Sequence, residues 1–239
     1  MLRMEHGKVN AMDIELCAAF SAELDDLRKK NVRSIVLTSK GSAFSAGVDL
    51  VRLVNGGRGY IEQFMPALTD ALFKVFTFPR PIIAAMNGHA IAGGFILACA
   101  CDVRIMVEGG GRLGMPELLV GVPLPAIAME VLRFAVPAPY LAQLAYFGRT
   151  VTPTEALRIG MVEEVVPENQ LLGHAFRTAN QMAAIPEKPF EMTKRELRAP
   201  YIERFEAERA RLDVEVLQTW CSPQTFNAIK AYVTRTLRK

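Results

Sequence analysis

Two short glycine-bearing segments constrain this chain more than anything else in it: Phe44-Ser45-Ala46-Gly47-Val48-Asp49-Leu50 and Asn87-Gly88-His89-Ala90-Ile91-Ala92-Gly93-Gly94-Phe95. Each reads as a strand that breaks into a tight turn and opens a helix. The first N–H groups of a helix lack an intrahelical acceptor, so such a turn leaves donors free at the positive end of the helix dipole. Two turns of this kind, brought together, can hold one oxyanion. Met115-Pro116-Glu117 follows, and Glu117 is the strong acid or base expected near that point. Taken singly, each piece is ordinary turn chemistry, and a Glu after a Pro is commonly just solvated. Their combination and order carry the argument.

Helical and extended patterns alternate around these segments. Asp13 is placed to cap a helix running to about Lys30, because Leu16, Phe20, Leu24 and Leu27 recur at helical spacing. Residues 32–38 read as a strand, and residues 60–76 as a helix with Phe64, Leu68, Leu72 and Val75 on one face. Strand, helix and strand follow over residues 81–86, 93–100 and 103–107, which makes the class α/β. Beyond Pro123 the strand signal nearly vanishes. Thr152-Pro153-Thr154-Glu155 forms a capping box, residues 162–166 make one short strand, and residues 168–237 read as helical. Asn55-Gly56-Gly57-Arg58-Gly59 lacks the Lys-Ser/Thr ending of a phosphate-binding loop and reads as a mobile loop, and Glu108-Gly109-Gly110-Gly111 as a plain turn.

A length of 239 residues at 51% hydrophobic composition suffices for one packed core and demands no second, so one domain over residues 1–239 is expected. The longest apolar run, residues 90–101, holds two glycines and stops at Asp102, short of the roughly 20 residues that span a bilayer. Neither an apolar signal core nor an Arg- and Ser-rich leader precedes Glu5, so a cytoplasmic protein without membrane attachment is expected. A formal charge of +3, with basic residues scattered apart from Arg235, Arg238 and Lys239, argues against a nucleic-acid partner. Cys17, Cys99, Cys101 and Cys221 read as free buried thiols, and neither they nor His6, His89 and His174 have metal-ligand spacing. No metal is expected. The absence of a Gly-x-Ser-x-Gly elbow removes Ser45 as a nucleophile.

From Gly7-Lys8-Val9-Asn10-Ala11-Met12 onward, the chain resembles the enoyl-CoA hydratase/isomerase (crotonase) superfamily. The most specific stretch is residues 79–123, where Arg80-Pro81-Ile82-Ile83-Ala84-Ala85-Met86-Asn87-Gly88, Ala92-Gly93-Gly94, Cys101-Asp102-Val103-Arg104 and Pro116-Glu117 fall in the family's order. The resemblance implies a ClpP/crotonase-like spiral of ββα units over residues 1–185. Over residues 186–239 it implies a helical region that drives trimerisation, giving a homotrimer or a dimer of trimers. It also implies an acyl-CoA thioester substrate, with coenzyme A present as part of that substrate and no tightly bound cofactor. The oxyanion donors would be the backbone N–H groups of Val48 and Gly93, and the catalytic residue Glu117. Phe44, Ser45, Ala46, Asp49, Arg52 and Ile96 would contact substrate or CoA: the backbone at residues 44–46 would meet adenine, and Arg52 stands next to Val51, where many relatives carry a lysine. One departure lies at the start, where only residues 2–5 stand in place of an N-terminal hairpin; a sheet edge left uncovered is the expectation.

A second departure is more consequential. Hydratases of the family carry a second glutamate three residues after the oxyanion glycine, and Ile96 occupies that position. Hydration asks two carboxylates to ionise and place one water while protonating a carbon. Moving a double bond from C3–C4 to C2–C3 needs one base, which takes a proton from C2 and returns it to C4. An aliphatic Ile96 would desolvate Glu117 and raise its pKa. The pattern therefore favours the Δ3,Δ2-enoyl-CoA isomerase branch, with hydration of 2-enoyl-CoA second and a non-catalytic acyl-CoA-binding homologue third. The dienoyl-CoA isomerase branch needs acids at the Ile96 position and near Pro125, and both are missing. Glu130, read as a helix-surface residue, is the one candidate for a second acid.

Overall fold

The computed structural model describes residues 1–236; Leu237, at the end of the expected last helix, and Arg238 and Lys239 of the basic tail lie outside the described residues. The chain runs β1 (Leu2–Met4), α1 (Ile14–Lys29), β2 (Ile35–Ser39), β3 (Ala43–Ser45), α2 (Leu50–Thr77), β4 (Ile82–Met86), β5 (His89–Ile91), α3 (Gly93–Ala100), β6 (Val103–Val107), β7 (Leu113–Gly114) and α4 (Glu117–Val120). It continues through α5 (Ala126–Ala135), α6 (Ala138–Phe147), β8 (Thr150–Val151), α7 (Pro153–Arg158), β9 (Glu164–Val166), α8 (Leu171–Ala183), α9 (Glu187–Trp220) and α10 (Pro223–Thr236). Three successive units, β2-β3-α2, β4-β5-α3 and β6-β7-α4, repeat one ββα pattern.

The first strand of each unit enters a sheet ordered β1-β2-β4-β6-β9, parallel throughout. The second enters a sheet ordered β3-β5-β7-β8, in which β8 alone runs antiparallel. Parallel neighbours need a crossover, and here the crossover is a short strand plus a helix. Stacking the units therefore sets β3, β5 and β7 side by side, so the turns that leave β3 and β5 become neighbours. That adjacency builds the site. Strand β1 lies along β2 and is the outermost strand of its sheet, so the edge expected to stand uncovered is β1's own, with no further strand beyond it among the described residues. The two-residue β8 carries no period and was invisible in the sequence.

Strands β2 and β4 are buried along their whole length, as a parallel sheet covered on both faces requires. One face packs into the main core with α1, α2, α3 and α5. On the other, Val36, Ile83 and Ile105 meet Leu171, Ala175 and Ala179 of α8. The expected caps form: Asp13 Oδ1 accepts from Leu16 N at 2.8 Å, and Thr152 Oγ1 from Glu155 N at 3.2 Å. Asp102 fastens α9 to this core, accepting from Lys194 Nζ at 2.7 Å and Arg198 Nη2 at 2.8 Å. Arg198, almost fully buried, also donates to the carbonyls of Phe76, Ala100 and Cys101, closing the C-terminal ends of α2 and α3. Of the four thiols, Cys17, Cys99 and Cys101 are buried, whereas Cys221 is half-exposed at the α9–α10 corner, contrary to expectation.

Residues 55–59 form helix and not the loop read from their glycines. Asp49 Oδ1 caps α2 through Arg52 N at 2.9 Å, and the helix then continues to Thr77 with one break at Gly57, φ 60° and ψ −154°. A side chain there meets no steric obstacle but is strained by the backbone itself. Gly57→Ala should destabilise the fold by about 1–3 kcal/mol, a fall in Tm of roughly 3–10 °C. An unchanged Tm in a thermal melt would show that the helix passes Gly57 without this kink.

Candidate active site

The site begins with two turns held against each other. Gly47, at φ 82°, leads out of β3, and Met12 bridges the next residue: Met12 N donates to Gly47 O at 2.7 Å and Asp49 N to Met12 O at 2.9 Å. Residue 48 lies between those two bonds and faces away from Met12, so its N–H has no acceptor among the described residues. At the second turn one residue converts β5 into α3. Ala92 adopts φ 53° and ψ −126°, a conformation that costs a residue with a Cβ about 1–3 kcal/mol. Its N–H is held by Gly114 O at 2.8 Å and its carbonyl accepts from Ile96 N at 3.0 Å. The next N–H, that of Gly93, opens α3 and likewise has no acceptor among the described residues.

The glycines allow this approach. A Cβ on Gly47 would stand 2.8 Å from Ala92 Cβ, and one on Gly94 would stand 2.3 Å from Ser45 O, so neither backbone tolerates a side chain. At Gly93 a Cβ would meet Met12 Sδ at 3.0 Å, Gly47 Cα at 3.7 Å and Val48 Cγ2 at 3.9 Å. The two free donors thus sit on backbone segments in van der Waals contact.

They border a cavity of about 280 Å³ whose walls include Val48, Gly93, Ile96 and Glu117, with Leu68 and Leu72 of α2, Ala128 of α5, Trp220 of α9 and Tyr232 of α10. Glu117 is the first residue of the single-turn helix α4, which Gly121 ends in a left-handed conformation. Its side chain is buried, and neither carboxylate oxygen has a hydrogen-bond partner among the described residues. Burial disfavours the charged form, outweighs the lowering by the residue's own backbone N–H, and pushes the pKa up to about 7. Asp49, the other acid on the cavity wall, is engaged at the cap of α2.

Val48, Gly93, Ile96, Asp49, Ala46 and Glu117 are therefore brought together as their sequence positions suggested. Three other residues are not. Phe44 and Ser45 are fully buried inside β3, and Ser45 Oγ donates to Asn10 O at 2.7 Å. Ala46 lines the cavity, but its N–H is taken by Val9 O at 3.0 Å. Arg52, expected to contact substrate or CoA, instead donates to Asp13 Oδ2 at 2.6 Å and to both carboxylate oxygens of Glu15 at 2.5 and 2.7 Å. Glu130 is buried and not on the helix surface, paired with Arg133 and with Arg204 at 3.4 Å, and it does not line the cavity. Trp220 and Tyr232 escaped sequence reasoning. The lone tryptophan of the chain, at the end of a long helical pattern, was the available signal.

The enoyl-CoA hydratase/isomerase family model matches residues 1–236. Among curated proteins, mitochondrial enoyl-CoA delta isomerase 1 of Mus musculus is 27% identical over 201 residues, covering 83% of this chain and 70% of that protein. A Thermus thermophilus protein provisionally named an enoyl-CoA hydratase is 34% identical over 189 residues, covering 77% of this chain and 74% of its own length. The crystal structure of human mitochondrial delta3-delta2-enoyl-CoA isomerase superposes with a TM-score of 0.93 over 98% of this chain and 92% of that one; at 24% identity this likeness speaks to the fold. No helix among the described residues is long and apolar enough to cross a membrane.

Proposed function

The chain belongs to the enoyl-CoA hydratase/isomerase family, and from that premise we propose that it shifts the double bond of a 3-enoyl-CoA to give 2-enoyl-CoA. The observation that carries this reading is Glu117, a buried carboxylate in a mainly apolar cavity with both oxygens unpartnered among the described residues, while Asp49, the other acid on the wall, is engaged at the cap of α2. In the proposed reaction it takes a proton from C2 of the acyl group. The electron pair released moves toward the thioester carbonyl, and the Val48 and Gly93 N–H groups hold the developing oxyanion. The C3–C4 π pair joins this dienolate, which takes the same proton back at C4, leaving the double bond at C2–C3. No atom is gained or lost, so one acid/base suffices.

Hydration draws support from the relative named a hydratase. Its chemistry asks for a second acid, yet Ile96 stands at the family's second-glutamate position and Glu130 is held by two arginines outside the cavity. Trimeric assembly belongs to the same proposal. Leu118 and Leu119 of α4 and Tyr146 and Phe147 of α6 are exposed apolar side chains of the kind such an interface buries.

Absorbance of the conjugated thioester separates the readings. With 3-enoyl-CoA the signal should grow, and with 2-enoyl-CoA it should persist; loss of the 2-enoyl signal with 3-enoyl-CoA untouched would overturn the isomerase. Because Glu117 must be ionised to accept the C2 proton, kcat/KM should rise with pH through about 7 and level above it. A profile flat from pH 5 to 9 would remove Glu117 as the base.

A further inference from the structure

We propose that this cavity accepts acyl groups of up to about eight carbons and excludes longer ones because Trp220 closes its inner end; the inference rests on the reading of the cavity as an acyl-CoA site. Exposure along the walls shows which end is open. Exposed Ala46 and Val51, the latter 39% exposed, stand at the mouth, whereas Leu72 and Ala128 are inaccessible and Trp220 is 3% exposed. The thioester must lie between these ends, where the free N–H groups and Glu117 are, so the acyl tail extends inward toward Trp220.

That end does not yield easily. Trp220 Nε1 donates to Pro123 O at 2.9 Å, which fixes the indole, and the residue ends α9 where the chain turns into α10. Leu72 comes from α2 and Ala128 from α5, and both helices pack against each other and against α9. A longer chain would have to part this junction. An apolar cavity of ~150 Å³ takes up the six carbons of benzene, so a cavity of about 280 Å³ holds roughly eleven carbon-sized groups. Part of that belongs to the thioester, which leaves room for a short or medium acyl chain.

Calorimetric titration with butyryl-, hexanoyl-, octanoyl- and dodecanoyl-CoA, saturated so that nothing turns over, tests the limit. Each added methylene should tighten Kd about fourfold while the cavity has room, and the gain should stop at about eight carbons. Trp220→Ala should restore the gain at dodecanoyl-CoA, by tenfold or more over wild type. Ala128→Leu, which fills space without removing a packing anchor, should weaken octanoyl-CoA about tenfold and leave butyryl-CoA unchanged; it decides the matter if Trp220→Ala does not fold. Affinity that keeps rising through dodecanoyl-CoA in wild type, or an Ala128→Leu loss equal at all lengths, overturns the proposal. A length break without turnover of any 3-enoyl-CoA keeps the limit and removes the isomerase. Equal kcat/KM for 3-octenoyl- and 3-dodecenoyl-CoA keeps the isomerase and removes the limit.

Discussion

Glu117→Gln is expected to lower kcat for 3-enoyl-CoA by about four orders of magnitude while leaving the Kd of a saturated acyl-CoA nearly unchanged. Glutamine matches the carboxylate in size but cannot accept the C2 proton, and in the proposed reaction one group performs both transfers, so no partner would compensate. The same variant has an opposite effect on stability. The folded carboxyl titrates near pH 7, against about 4.5 when exposed, because burial disfavours its ionised form. At pH 4 it is protonated in both states and exacts no penalty. As pH rises from 4.5 to 7 the unfolded chain ionises first and wild-type stability falls, by up to about 3 kcal/mol, reaching its full loss above pH 7. Glu117→Gln should therefore melt progressively above wild type between pH 4 and 8. Its own buried amide contributes a constant offset that cancels in that comparison. A Tm difference independent of pH would mean that burial does not raise the Glu117 pKa, and a kcat within tenfold of wild type would mean that it is not the acid/base.

The two glycine turns with their free N–H groups were legible because their causes are local. A strand ending in Gly47-Val48 or Ala92-Gly93 and followed by an apolar helical run fixes which N–H groups lack acceptors, whatever the rest of the chain does. Helix α3, strand β6 and the Asp13 cap were readable for the same reason. What the sequence hid depends on partners far along the chain. Arg52 reads as a free cation until Asp13, 39 positions earlier, is seen to hold it. Glu130 reads as a surface acid until α9 delivers Arg204 to it. Trp220 joins the cavity only because Lys194 and Arg198 fasten α9 to Asp102 and so fix where that helix ends. Residues 55–59 failed differently: glycine's intrinsic dislike of helices was outweighed by the Asp49 cap on one side and the apolar face of residues 61–76 on the other, with the strain confined to Gly57.

Gly93→Pro should lower turnover by about 10²–10³-fold in a protein that still folds, whereas Gly93→Ala should retain most of it. Both variants place a Cβ 3.0 Å from Met12 Sδ, a side-chain atom that can move aside by the few tenths of an ångström required. Both sit at the first position of α3, where proline's missing N–H breaks no helical hydrogen bond. They differ in the N–H aimed at the cavity, which alanine keeps and proline removes. Loss of one oxyanion donor is worth about 3 kcal/mol in the barrier, or about 10²–10³-fold in kcat. Proline adds a restriction on the residue before it, and Ala92 already holds an unusual conformation, so circular dichroism and acyl-CoA affinity must accompany the rates. With both proteins folded and binding, a kcat ratio of Gly93→Ala to Gly93→Pro of at least a hundred assigns the donor. A ratio near one means that the oxyanion is held elsewhere, and the strain at Ala92 would then need a cause other than aiming this N–H.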